Sequence, residues 1–168
     1  MLFHVSEDAD ILRFEPRPSA LIATPVVWAV DDQRLRNYLL PRECPRVTYY
    51  AGPQTTAGDR AAFLGSHAAV VAIEAHWLDR VRSSRLFLYE LSPDTFACID
   101  ECAGYFVSDA AVEPLGVRVC DDALAELGRR GAHLRIEANL WSLRDAVAAS
   151  SLQFSMIRMR NAQPRSDA

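Results

Sequence analysis

Arg85-Leu86-Phe87-Leu88-Tyr89-Glu90-Leu91 is the stretch on which the fold turns. Side chains on a strand alternate between faces. Phe87, Tyr89 and Leu91 therefore face one way, Leu86 and Leu88 the other, and only Glu90 breaks the apolar character. A strand that is apolar on both faces belongs inside a sheet that is covered on both sides. Outward from it, extended runs recur at residues 2–5, 26–30, 46–50, 70–73, 96–99, 105–108, 114–119 and 133–137. These runs are rich in β-branched and aromatic residues. Short helical stretches separate some of them. Leu35, Tyr38 and Leu39 follow an Asp31 or Asp32 cap and stop at Pro41. His76 to Val81 makes one or two turns. Asp121-Asp122 opens an amphipathic helix that Arg129-Arg130-Gly131 closes, and Asn139 caps another from Leu140 to about Ala149. Leu152, Phe154 and Met156 alternate as in a strand, whereas Leu152, Met156 and Met159 fit one helical face. Strand is the preferred reading for 151–161. The helices are short and no βαβ repetition is visible, so the fold class is α+β with a mixed or antiparallel sheet and short flanking helices.

The chain has 168 residues, enough for one domain with a sizeable core, and no interior linker or repeat divides it. Residues 1–161 are expected to form a single globular domain, with a polar, disordered tail over 162–168. The formal net charge is −4, so net charge does not indicate a nucleic-acid partner. All 18 basic residues are arginine, a composition bias that gives their number no weight as evidence for phosphate binding. No apolar run reaches the ~20 residues that span a bilayer. Glu7, Asp8 and Asp10 stand where a signal peptide needs an apolar segment, and a cytoplasmic location follows as the expectation. Cys44, Cys98, Cys102 and Cys120 form no C-x-x-C pair, so free, mostly buried thiols and no metal site are expected. Trp28, Trp77 and Trp141 read as core residues.

His4 and Ser6 are the first chemical candidates. Two apart on a strand, they point the same way and offer two directed hydrogen bonds to one ligand. On spacing alone, a half-buried histidine beside a turn-capping hydroxyl is the favoured reading. Phosphodiester cleavage by two His-x-Ser/Thr motifs has no support, because the chain has only one. A P-loop, a dinucleotide glycine fingerprint and a nucleophile elbow are also missing. Ala51 to Arg60, with Gly52-Pro53 and Gly58, reads as a surface loop or as a flap. Arg13, Arg17, Arg42 and Arg46 lie at loops or element ends, where a guanidinium can grip a pyrophosphate or simply be solvated.

Leu2-Phe3-His4-Val5-Ser6, Ile11-x-x-Phe14-x-Pro16 and Pro25-Val26-Val27-Trp28-Ala29-Val30-Asp31 with Tyr38 resemble the opening of ADP-ribosyltransferase-like domains. Gly104-Tyr105-Phe106-Val107-Ser108, with Val112 and Pro114, is similar to the third motif of that family. The resemblance covers roughly residues 1–40 and 85–114. It implies a split sheet whose cleft binds the nicotinamide end of NAD, with His4 on the ribose, Ser6 beside it and Tyr38 or Tyr105 stacked on the ring. Arg17 is the implied phosphate contact. It also implies transfer of ADP-ribose to an acceptor through an oxocarbenium-like cation that a fixed carboxylate stabilises. Gly104 stands where that family carries a glutamate, which leaves Glu101, or its neighbour Asp100, as the catalytic candidate. A non-catalytic nucleotide-binding or protein-interaction domain on the same scaffold is the alternative. Over nearly its full length the chain also resembles a family of small uncharacterised bacterial proteins. The residues typical of that family are Asn139-Leu140-Trp141-Ser142-Leu143-Arg144-Asp145 and Ile157-Arg158-Met159-Arg160-Asn161-Ala162.

Overall fold

The computed structural model describes residues 1–19 and 21–165. In chain order the elements are β1 (Leu2–Ser6), β2 (Val27–Asp31), a 3-10 turn (Leu35–Tyr38), β3 (Arg46–Tyr50), α1 (Ala57–Asp59) with a π turn (Arg60–Leu64), and β4 (Ala69–Glu74). They continue with α2 (Leu78–Ser83), β5 (Leu86–Leu91), β6 (Ala97–Asp100), β7 (Tyr105–Ser108), β8 (Gly116–Cys120), α3 (Ala123–Arg129), β9 (Ala132–Glu137), α4 (Trp141–Ala148) and β10 (Gln153–Ile157). The fold is α+β. A six-stranded antiparallel sheet has the order β6-β7-β2-β1-β5-β8, and a four-stranded mixed sheet has the order β10-β3-β4-β9 with β4 and β9 parallel. The chain divides into two compact units, Met1–Leu39 with Arg85–Asp121 and Leu40–Ser84 with Asp122–Ala168. Each unit is built from two stretches of chain, so neither corresponds to a single segment of sequence. No helix among the described residues is long and apolar enough to cross a membrane.

The first unit holds the six-stranded sheet. β5 pairs with β1 from Leu2↔Leu91 to Ser6↔Phe87 and with β8 on its other edge, the interior place its two apolar faces require. Leu2, Val27, Ala29, Tyr89 and Leu91 build the core from the strands. The segment after β1 covers that core through Phe14, which is buried, and Ile11. Two backbone bonds to Val112, 2.8 and 2.9 Å, hold Phe14 in place. The Tyr89 hydroxyl donates to the Asp8 carbonyl at 2.7 Å and accepts from the Ile11 N–H at 3.1 Å. Burial of the Phe14 ring alone contributes about 1.5–3 kcal/mol.

In the second unit β3 and β4 are buried along their whole lengths. Val47, Tyr49, Val70 and Ala72 pack against Leu140, Leu143 and Val147 of α4. Glu74, fully buried at the end of β4, accepts from the backbone N–H of Leu140 and of Gln163 at 3.2 and 3.0 Å. A buried carboxylate is tolerated because it satisfies two backbone donors, one of them at the start of α4. Asp122 caps α3 through the Ala125 N–H at 2.9 Å, and Gly131 at φ 68° follows the helix end.

Several expectations are corrected. Trp28, Trp77 and Trp141 are half-buried rather than core. Trp141 shows the reason: its indole N–H must reach an acceptor, the Gln163 carbonyl at 2.7 Å, and its ring face carries the Arg165 guanidinium at 4.5 Å. The start of the expected tail is docked. Asn139 donates to the Pro164 carbonyl at 2.9 Å, and Arg165 donates to both oxygens of Asp145 at 2.7 and 3.1 Å. Residues 166–168 lie outside the described residues. The 51–60 segment turns helical at Ala57 and is tethered: Thr55 Oγ1 donates to the Ser151 carbonyl, and the Ser151 N–H donates to Asp59 at 2.7 Å. Those tethers do not fit a free flap. Cys44 and Cys120 are buried but Cys98 and Cys102 are exposed, so the thiols divide evenly. Desolvation pushes the Cys44 thiol up to about 12.

Residues 151–161 form the preferred strand, Gln153–Ile157, and then a 3-10 turn, Met159–Asn161. The docked terminus makes a titration prediction. Hydrogen bonds from Arg165 first, then Arg144, hold the Asp145 carboxyl at about 2 against its ordinary 3.8. A depressed carboxyl stabilises the folded chain above its unfolded value, and that contribution is lost as pH falls from 3.8 towards 2. Arg165→Ala is expected to raise the Asp145 midpoint in an NMR carboxyl titration. An unmoved midpoint would show that the terminus is not docked.

Candidate functional site

β1 and β2 pair only at Leu2↔Asp31 and Phe3↔Val30, although both strands continue. Past these two rungs, the Trp28 carbonyl is bonded to the His4 imidazole, with Nδ1 2.8 Å from the oxygen. A carbonyl only accepts, so this bond assigns the proton to Nδ1 and, in the neutral ring, the lone pair to Nε2. The His4 ring is half-buried and lies 4.7 Å from the Phe14 ring, tilted. Ser6 is on the same face, as alternation requires, and its hydroxyl accepts from the Asp8 N–H at 3.1 Å. One nitrogen of His4 is committed to the backbone and the other has acceptor character.

Tyr38 and Tyr105 come together, but on the other face. Phe3↔Val30, Val30↔Tyr105 and Trp28↔Val107 put Phe3, Trp28, Val30 and Tyr105 on one face, and Leu2, His4 and Ser6 on the opposite one. The Tyr105 ring meets Trp28 at 5.7 Å and Tyr38 at 6.4 Å, both edge-on. These expected site residues thus form two groups, one on each side of the sheet where β1 and β2 part. Arg17 is exposed, and its backbone exchanges two bonds with Val26 at 3.1 and 3.0 Å. Arg13 pairs with Glu15 at 2.8 Å. Arg46 is 2% exposed and donates to the Pro41 and Cys44 carbonyls, a structural use of its guanidinium.

The carboxylate candidates sit in the turn between β6 and β7. A bulge does occur there, between Cys98 and Asp100. Asp100 spends an oxygen on the Ala103 N–H at 2.9 Å, and Glu101 is exposed. Gly104 is buried at φ 66°, and its carbonyl accepts from the Asp31 N–H at 3.1 Å. A Cβ at Gly104 would fall 2.5 Å from Arg34 Cγ and 2.8 Å from Asp31 Oδ2. Asp31 Oδ1 accepts from the Arg34 N–H at 2.7 Å, and Arg34 Nε donates to the Cys102 carbonyl at 2.8 Å. The wall against position 104 is therefore braced at both ends. Sequence reasoning offered Asp31 or Asp32 as a helix cap but missed Arg34, which takes the N-cap position. The glycine itself was the available signal, since φ > 0 and close approach both favour it. Asn37, missed entirely, is fully buried, and neither amide atom of its side chain is hydrogen-bonded among the described residues.

Gly104→Ala combines a left-handed backbone with a steric collision, so we expect a loss of about 2–4 kcal/mol and a drop in Tm of roughly 5–15 °C. Calorimetry checks it, and a Tm unchanged within error would mean that the Asp31–Arg34 wall yields.

No curated protein and no solved structure matches the chain. A family of unknown function, DUF6886, matches residues 3–162, which include His4, Ser6, Tyr38, Gly104 and Tyr105. The chain belongs to this family of unknown function.

Proposed function

We propose that the first unit binds the nicotinamide–ribose end of NAD, or of a related nucleotide, where β1 and β2 part, and holds it without transferring ADP-ribose. The observation that carries this reading is the His4–Trp28 bond, which fixes the ring orientation and gives Nε2 the acceptor character that a ribose hydroxyl matches. Ser6 supplies a second polar group on that face. Tyr38 and Tyr105 group on the opposite face, so they do not stack on a ring whose ribose lies at His4. Arg17, exposed in the same unit, is a charge available to a phosphate. Transfer would pass through a cation and needs a carboxylate held against the ribose. Position 104 has no room for one, and Glu101 is exposed to water, where a charge is strongly screened. Binding without turnover is the reading these facts favour.

Calorimetric titration with NAD tests it, alongside an assay for free nicotinamide. The wild-type chain is expected to bind NAD and release no nicotinamide. His4→Ala should weaken binding about tenfold, the worth of one well-aligned hydrogen bond. Unchanged affinity in His4→Ala would remove the site. Nicotinamide release that disappears in Glu101→Gln would make the chain a transferase instead.

A further inference from the structure

Glu43 lies in the second unit, in a loop fixed from two directions. Arg46, buried, donates to the carbonyls of Pro41 and Cys44 at 3.0 and 3.2 Å. The Asn161 amide donates to the Glu43 carbonyl at 2.7 Å and to its Oε2 at 2.9 Å. Around the same carboxylate, Arg158 Nε stands 3.3 Å from Oε1 and Arg160 Nη2 stands 3.4 Å from Oε2. The charge of Arg42 acts on it as well. Two guanidiniums stand against this one carboxylate, on a chain whose formal net charge is −4. An exposed ion pair returns only about 0–1 kcal/mol, so stability does not account for adding further like charges to one that is already paired.

The backbone gives a second observation. Arg158, at φ 56°, is the one non-glycine residue with positive φ among the described residues. That conformation costs on the order of 1–3 kcal/mol and normally falls to glycine or asparagine. Here it turns the chain out of β10 into the Met159–Asn161 turn, so that residues 158, 160 and 161 all reach Glu43. Arg158 Nε is sequestered from solvent, close to the carboxylate, but lacks hydrogen-bond geometry to it. Strain held at a charged residue, with a buried donor poorly matched to its partner, fits a site shaped for something other than Glu43.

We propose that Arg158, Arg160 and Asn161 form an oxyanion site for a phosphate ester or pyrophosphate group, and that Glu43 occupies it in cis. Guanidinium forks match the paired oxygens of a phosphate, and an amide N–H adds a neutral donor. Glu43 offers two oxygens and one negative charge, whereas a phosphate offers three oxygens and up to two charges. The ligand therefore displaces the carboxylate while the arginines stay in place. The side chains concerned are reachable, with Arg160 67% and Glu43 51% exposed. This site is independent of the NAD reading, which concerns the other unit.

Titration with sodium pyrophosphate at low ionic strength, followed by 31P NMR and calorimetry, tests the proposal. Wild type is expected to bind. Glu43→Gln should tighten binding roughly fivefold or more by removing the competing charge, and Arg160→Gln should weaken it about tenfold. Arg13→Gln, which removes an arginine of the first unit, should leave affinity unchanged. Orthophosphate is expected to bind more weakly than pyrophosphate in the same order of variants. Arg160 is exposed enough to replace without unfolding, so its result stands even if Arg158→Gln fails to fold. Loss of binding in Glu43→Gln, or equal weakening by Arg13→Gln and Arg160→Gln, would overturn the site. The first outcome would make the cluster a structural salt bridge, and the second would reduce it to general surface charge.

Discussion

The first unit depends on a hydrogen bond that stands in for a missing rung of a sheet. β1 pairs with β5 over five residues but with β2 over only two. A sheet that parts in this way leaves backbone groups without partners, and each one shut away from water costs about 1–3 kcal/mol. His4 meets that requirement at Trp28 with a side-chain donor. The Trp28 carbonyl keeps a partner where the two strands diverge. The same bond fixes the imidazole tautomer and presents an acceptor nitrogen beside the parting. One residue thus links the β1–β2 register to the chemistry of the proposed site.

Rigid surroundings give that arrangement its meaning. Phe14 and the Tyr89 hydroxyl tie the segment after β1 to the core, so the His4 face is held and not merely covered. On the far side of β2, Gly104 sits against Arg34 and Asp31 with no space for a side chain. The fold thus holds His4 and Ser6 on one face of the sheet and leaves no room for a side chain at position 104.

The elements were legible in the sequence wherever one local rule decided them. β5 announced its interior position through apolar residues on both faces, and Asp122 caps α3 as its side-chain chemistry suggests, whereas Asp31 and Asn139 accept backbone N–H groups from just before their elements, whose N-caps are Arg34 and Leu140. What local rules do not encode was missed. The parallel pairing of β4 with β9 joins segments some sixty residues apart, and neither strand's pattern names its partner. Tryptophan area argues for the core, yet Trp141 stays near the surface because its N–H and ring face are used by Gln163 and Arg165. The alternation that put His4 and Ser6 on one face was readable. The placing of Tyr38 and Tyr105 on the other was not, because it needs the β2–β7 register. Glu43 and Arg160 are 117 positions apart, and no spacing rule brings them together.

The most direct test of this picture is the protonation of one ring. Long-range proton–nitrogen correlation spectra of His4 in labelled protein, recorded where the ring is neutral, report which nitrogen carries the hydrogen. The expected result is a single Nδ1–H tautomer with an unprotonated Nε2, in slow exchange because the Trp28 carbonyl holds the proton. A ring protonated on Nε2, or one averaging between the two forms, would contradict it. The β1–β2 parting would then lack its bridging bond, and the proposed acceptor would be lost.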